Sequence, residues 1–159
     1  VKNAVYHPRS TTRENQVFYT SFEDETSATI LKTAKTGNKV YSQSYTINLS
    51  NFKPGSYILS YWKKSGEKWE LVEQELTVAS STASHTINSS SYPIDEVRIM
   101  PRNAMMTTYT CIPGVGVTSK KDTNCNTIDY EYNVFGRFLR VFCDDRKVVK
   151  GYEYFIKPF

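Results

Sequence analysis

The sequence lacks any long hydrophobic run, any block of like charges and any helical periodicity. Its most apolar stretch, 56–63, is far shorter than the roughly 18–20 residues that a transmembrane helix needs, so no membrane span is predicted in this chain. The net charge is only +4, and the two signs alternate along the chain. Neither half is basic enough to indicate a nucleic-acid partner.

Histidine is scarce, and the residue pairs that catalyse hydrolysis are missing. Only His7 and His85 occur, and neither has a Ser or Asp at a spacing that indicates a nucleophile and its base. Glu70, Glu73 and Glu75 alternate along a strand and are typical of a solvated face, not of paired glycosidase acids. We therefore predict that the chain is not an enzyme.

The chain begins at Val1 without an initiator Met or a signal-peptide pattern. We expect a mature fragment whose cellular address is not encoded in these residues.

Cysteine is also rare, and all three residues lie in the last third of the chain: Cys111, Cys125 and Cys143. None has CxxC or Cys/His metal spacing, and an odd number allows at most one internal disulfide. Turn positions in the repeat described below put Cys125 and Cys143 two strands apart, about 10 Å, which is too far for a bond. We predict no disulfide.

What the sequence does contain is about eight short strand patterns before residue 102, with a turn every 8–12 residues. Gly, Pro and Asn mark the turns, as in Thr36-Gly37-Asn38 and Lys53-Pro54-Gly55. This pattern predicts an all-β fold, an antiparallel β-sandwich of the jelly-roll type. We divide the chain into a lead-in or linker (1–15), the sandwich (16–101) and a β-meander (102–159).

The segment Ile94–Pro101 is predicted to be the last strand of the sandwich and the entry to the meander. Ile94, Val97 and Ile99 are strand formers, and prolines bound the segment. Asp95 and Glu96 are adjacent, so a regular strand would point them to opposite faces of the sheet.

A tyrosine repeat follows at intervals of 21 and 22 residues, in Tyr109-Thr110-Cys111, Tyr130-Glu131-Tyr132 and Tyr152-Glu153-Tyr154. Each repeat contains two short strands and two turns, which predicts a meander. Isolated hairpins are marginally stable in water, so the tyrosine faces must dock on the sandwich, on further repeats or on a partner.

The segment Asp129–Arg137, together with Tyr152-Glu153-Tyr154, resembles the YD (RHS-type) repeat of large bacterial surface and secreted proteins. Cys111 and Ile112 stand where that family has Tyr and Asp, and Arg146 stands where it has a turn Gly. These departures favour a terminal, closing piece of such a repeat shell.

The first two thirds of the chain resembles the galactose-binding-like jelly rolls of non-catalytic carbohydrate-binding modules. The matching segments are Ser21-Phe22-Glu23, 36–39, 54–62 and 94–98. The two resemblances together imply the C-terminal region of an RHS-type protein. They imply an extracytoplasmic location, at the cell surface or secreted, and partners that include the rest of the parent chain and a glycan. The implied role is structural or binding, the alternative being a true carbohydrate-binding module.

Four aromatic residues are candidates for a sugar-binding platform: Trp62, Trp69, Tyr61 and Tyr41. Trp and Tyr in central strands more often fill the core, and we favour that role for Trp62. Trp69 is the better exposed candidate because it follows a polar turn and precedes Glu70.

Glu23 and Asp95 match residues that can belong to a structural calcium site in such binding modules. Calcium prefers six to eight oxygen ligands, which carboxylates and loop carbonyls supply. The alternative is two surface carboxylates beside Arg98 or a lysine.

If the calcium site exists, millimolar calcium should raise the melting temperature of the protein. An unchanged melting temperature would exclude it.

Overall fold

The protein is an all-β chain, as predicted. The computed structural model describes residues 2–5, 17–89, 91–143 and 146–155, with the backbone alone for 2–5. These residues form fourteen strands and no α-helix. His7 and the rest of the predicted lead-in from residue 6 lie outside the described residues. The strands are β1 (Lys2–Val5), β2 (Phe18–Thr20), β3 (Thr29–Ile30), β4 (Lys39–Val40), β5 (Tyr45–Asn48), β6 (Gly55–Ser65), β7 (Lys68–Val78), β8 (Ser84–Ile87), β9 (Ile94–Pro101), β10 (Thr108–Ile112), β11 (Gly116–Lys121), β12 (Thr127–Tyr132), β13 (Phe138–Cys143) and β14 (Lys147–Gly151).

The hydrophobic core lies between a four-stranded antiparallel sheet and the two-stranded β5–β8 sheet, and a further two-stranded sheet adds no residue to it. The large sheet has the order β2-β9-β6-β7, and the small ones pair β5 with β8 and β3 with β4. Alternate residues of β6 point into the core, where burying each large side chain contributes about 1.5–3 kcal/mol. The finer jelly-roll topology stays a prediction. The core residues are Phe22, Ile47, Leu49, Phe52, Tyr57, Leu59, Tyr61, Val78, Ile87, Ile94, Val97 and Ile99.

Strand β9 is central in this sheet, hydrogen-bonded to β2 on one side and β6 on the other. Every residue from Ile94 to Met100 is buried, the charged ones included. A strand covered on only one face would leave its outer residues in water. Both faces of β9 must therefore be covered.

A second, six-stranded sheet provides that cover. Its order is β1-β10-β11-β12-β13-β14, and β10 to β14 follow one another as antiparallel neighbours, which is the predicted meander. The lead-in predicted for residues 1–15 differs in part, because Lys2–Val5 is a strand paired with β10. Strand β1 was not predicted because its partner β10 lies far away in sequence, and such a pairing leaves no signal in the local sequence.

The face of the second sheet that packs inward is polar and is not the tyrosine face. The buried residues of this sheet are mostly hydroxylated: Thr108, Thr110, Ser119, Lys121 and Thr127. The repeat aromatics are only partly buried, and Phe138 stacks on Tyr132 and Tyr152 at ring separations of 4.8 Å and 6.1 Å. Docking of the tyrosine face on the sandwich, one of the expected outcomes, is therefore wrong.

Gly37 sits in the loop between β3 and β4 in a left-handed conformation, with a φ of 62°. A Cβ added there would overlap the Glu23 carboxylate, whereas Gly66, with a φ of 60°, has open space around it.

Gly66→Ala should lower the unfolding free energy by about 1 kcal/mol, because an Ala in the left-handed conformation is strained. Gly37→Ala should cost about 1–3 kcal/mol more, because the carboxylate must move.

Urea unfolding of both variants measures the difference. Equal losses would show that the Glu23 contact does not constrain the loop.

Candidate functional site

A β-bulge in β9 brings Asp95 and Glu96 to the same side of the sheet. Glu96 has a left-handed φ of 56°, and the pairing of β6 with β9 shifts register between Ser60 and Trp62. A bulge sets two residues against one on the partner strand, so the alternation of faces is broken. The prediction that the two carboxylates face opposite ways is wrong, because both contact Thr36.

Asp95 and Glu96 hold the loop between β3 and β4. The backbone N–H of Thr36 donates to Asp95 Oδ2 at 2.9 Å, and the Thr36 hydroxyl donates to Glu96 Oε1 at 2.5 Å. Hydrogen bonds to charged groups stabilise by about 1.5–3 kcal/mol each. We call residues 33–39 the anchored loop.

Glu23, the other half of the predicted calcium pair, binds the same loop at a different point. Its Oε1 accepts the backbone N–H groups of Asn38 at 2.7 Å and Lys39 at 2.8 Å. Glu23 and Asp95 thus both accept hydrogen bonds from backbone N–H groups of the anchored loop. In the described part of the chain, no group of three or more His, Cys, Asp or Glu side chains is arranged to hold a metal.

Lys121, at the end of β11, brings a positive charge from the second sheet to Glu96. Its Nζ lies 3.0 Å from Glu96 Oε2, and both side chains are only 1% exposed. Tyr19 also donates its hydroxyl to Glu96 Oε1 at 2.6 Å. Two charges buried this deeply are tolerated only when they pair well. The pair therefore fixes the second sheet against the sandwich.

Arg98 makes a second connection between the two sheets. Its buried guanidinium donates from Nε to Ser60 Oγ at 3.3 Å and from Nη1 to the carbonyl oxygen of Asp122 at 3.1 Å. Nη2 contacts the Sγ of Cys125. Asp122 and Cys125 belong to the β11–β12 turn, so this turn is held on the outer face of β9. We call Asp95, Glu96, Arg98 and Lys121 the buried ionic junction.

The junction shifts the protonation equilibria of its members. Burial, followed by the neighbouring Glu96 charge, raises the pKa of Asp95 well above its ordinary value. Burial opposes ionisation of Glu96 too, but Lys121 and the Thr36 and Tyr19 hydroxyl groups hold its pKa below the ordinary value. Burial lowers the pKa of Lys121, and Glu96 opposes that shift. Glu96 is therefore the carboxylate of the pair that ionises more readily, and Asp95 is the one that ionises less readily.

Two residues with strained backbone lie at the junction. Phe22, Glu96, Cys125 and Arg146 are the described non-glycine residues with positive φ, and of these Glu96 is a junction member and Cys125 contacts Arg98. Such conformations persist where the surrounding structure enforces them. Arg146, with a φ of 57°, occupies the turn position where the repeat resemblance expects Gly.

A cleft of about 840 Å³ opens beside the junction, between the anchored loop, the β6–β7 hairpin and the β11–β12 turn. Trp62 and Trp69, two of the predicted platform residues, both line it. The core role favoured for Trp62 is therefore wrong, because Trp62 does not belong to the hydrophobic core cluster. They share the outer face of the hairpin, where Trp69 is paired with Lys64 and Trp62 with Leu71. A cleft of this size accommodates a small ligand or a few units of a polymer.

The two tryptophans have different surroundings. Lys35 Nζ lies 4.0 Å and Lys121 Nζ 5.1 Å from the Trp62 ring centroid, so cations occupy part of its π surface. Trp69 donates its Nε1–H to the carbonyl oxygen of Thr33 at 2.9 Å, which fixes the ring against the anchored loop. A cation also lies over the Trp69 ring, but it is a single and more distant one, with Lys64 Nζ 5.5 Å from the centroid. Trp69 is thus the better placed of the two for stacking.

The other two platform candidates belong to the core. Tyr61 is buried in the hydrophobic cluster, and Tyr41 packs against the same cluster. The Tyr41 ring stacks on Phe22 at 5.2 Å and meets Tyr45 edge-on at 5.0 Å. Neither ring lines the cleft.

Several residues of the cleft and junction gave no functional signal in the sequence: Lys35, Lys121, Asn124, Asn126 and Arg146. In the sequence, Lys121 is an ordinary charged residue that precedes a turn. Its burial depends on the docking of a strand whose partner surface lies more than twenty residues away in sequence. A lysine followed by a polar turn is therefore uninformative on its own.

His85 has no acid–base partner in the described part of the chain. It lies on β8, where its Nε2 meets Gln74 Nε2 at 3.2 Å, and it forms no ion pair with a described carboxylate. Burial lowers its pKa. Cys111 and Cys125 are free thiols, and Cys125 is buried.

Removing one partner of the Glu96–Lys121 pair should be much worse than removing both. Lys121→Met leaves a buried, uncompensated Glu96 and should lower the unfolding free energy by about 3–5 kcal/mol. The double variant Lys121→Met with Glu96→Gln should recover at least about 1 kcal/mol of that loss, since the buried charge is gone.

Lys120→Met, next to Lys121 on β11 but not buried, is the matched control and should change stability little. Chemical denaturation measures all three variants. A double variant that is no more stable than Lys121→Met would contradict the coupling.

Comparisons with protein-family models, with curated proteins and with solved structures found no match. None of the described residues forms a helix long and apolar enough to cross a membrane.

Proposed function

We propose that this chain is a non-catalytic binding module of a bacterial cell-surface or secreted protein of the RHS type, and that its cleft holds a glycan. One observation carries the binding role: Trp62 and Trp69 line a single cleft together with polar side chains. Sugar rings combine apolar faces with hydroxyl groups, so they suit an aromatic ring flanked by hydrogen-bonding groups.

The RHS context rests on the tyrosine repeat and on the consecutive antiparallel order of β10 to β14. A repeat sheet of this kind buries its core only by packing on another element. In this protein the polar face of the sheet packs on the sandwich through the buried ionic junction. That arrangement supports a structural role alongside the binding role.

The absence of a catalytic role is also part of the proposal. A glycoside hydrolase needs two carboxyl groups on either side of the scissile bond, one of them able to donate a proton. Asp95, whose pKa is raised, is fully buried and hydrogen-bonded to the anchored loop, so it is not accessible to a substrate.

Binding of a panel of immobilised neutral and acidic oligosaccharides tests the proposal. Wild-type protein should bind at least one member, and Trp69→Ala should weaken that binding about tenfold or more because the stacking ring is removed. Trp69→Phe keeps an aromatic ring and should retain most of the binding.

Phe135→Ala is the matched control, since Phe135 is 76% exposed in the β12–β13 turn and does not line the cleft. Failure of the wild type to bind any member, or equal binding by Trp69→Ala, would overturn the glycan role.

A further inference from the structure

The cleft has a marked charge imbalance that the glycan role alone does not explain. Its lining includes four cations, Lys35, Lys64, Lys68 and Arg146, against two carboxylates, Glu67 and Asp129. Around an 840 Å³ cleft, this excess gives a local positive potential that favours anions.

These four cations are not committed to ion pairs within the described residues. The salt bridges found there use other cations, namely Lys63, Arg102, Lys121 and Arg140. Lys64 and Lys35 instead lie over the two tryptophan rings, with Lys64 Nζ 5.5 Å from the Trp69 centroid. Lys35 and Arg146 interact electrostatically with Asp129, but none of the four cations forms a salt bridge with a described carboxylate, so all four can contact a ligand.

The cleft continues into a second one of about 580 Å³, between the anchored loop and strands β12 and β13. The two clefts share Lys35, Asp129 and Arg146 as lining residues. The second cleft also has Arg140, whose Nη1 lies 3.7 Å from Glu131 Oε2. Together they form a groove that suits a chain of several units better than a single sugar.

We propose that this groove binds an acidic polysaccharide, with one sugar ring against Trp69 and the acid groups of the chain near Lys64, Lys68 and Arg146. The inference rests on the proposed glycan role and names the class of glycan. A neutral chain would fill the same volume but would leave the excess of positive charge in the cleft uncompensated. The acid groups of a carboxylated, sulfated or phosphorylated sugar would supply it.

Matched polymers that differ only in charge test the inference: polygalacturonate and its fully methyl-esterified form. Wild-type protein should bind the acidic polymer about tenfold more tightly at low salt, and the preference should shrink as salt rises through the physiological range. Trp69→Ala should weaken binding of the acidic polymer.

Lys64→Gln and Lys68→Gln should each reduce the preference for the acidic polymer by several-fold. Lys63→Gln is the matched control, because Lys63 lies next to Lys64 in sequence, pairs with Glu70 at 3.2 Å and does not line the cleft. Its preference for the acidic polymer should stay at the wild-type value.

Inorganic polyphosphate and single-stranded DNA serve as polyanions without the acidic sugar ring. Equal binding of the two matched polymers would overturn the acidic preference and leave the glycan role intact. Binding of polyphosphate or DNA as tight as that of polygalacturonate, unchanged by Trp69→Ala, would also overturn the inference. Failure to bind the whole oligosaccharide panel would overturn the glycan role itself.

Discussion

The contact between Glu96 and Lys121 is the constraint on which the rest of this structure depends. It joins a bulged strand of the sandwich to the end of a strand in the second sheet, at a point that water does not reach. A buried ion pair contributes little net stability compared with apolar residues, but it penalises any arrangement that separates the two charges. It therefore fixes one relative position of the two sheets.

The tryptophan cleft is a consequence of that constraint. Its three walls are the anchored loop, the β6–β7 hairpin and the β11–β12 turn. Asp95 and Glu96 hold the loop, and Arg98 holds the turn. The groups that hold the walls are thus buried, while Lys64, Lys68 and Trp69 face the cleft, where a ligand can contact them. This division separates positioning from recognition.

The strands were predictable because alternation and turn residues are local signals. The sequence indicated the strand at Ile94–Pro101 and the pairing of consecutive strands after Thr107, and both occur. The bulge at Glu96 was not predictable, since an alternating pattern carries no mark of one extra residue. Lys121 was not predictable either, because its burial arises from packing between distant segments. Trp69, predicted as the better exposed member of the sugar-binding platform, lines the cleft, but Tyr41 and Tyr61 belong to the core.

Strand β1 has a topological consequence. Because Lys2–Val5 pairs with β10, the eight strands of the sandwich form an insertion between the first two strands of the other sheet. The chain therefore connects the sandwich to the six-stranded sheet at two points. Two connections restrict the motion of the sandwich relative to that sheet more than a single linker would. The β1–β10 ladder closes a loop of roughly one hundred residues, and so high a contact order slows its formation. Strand β1 should therefore pair with β10, at the edge of the six-stranded sheet, after the sandwich has folded.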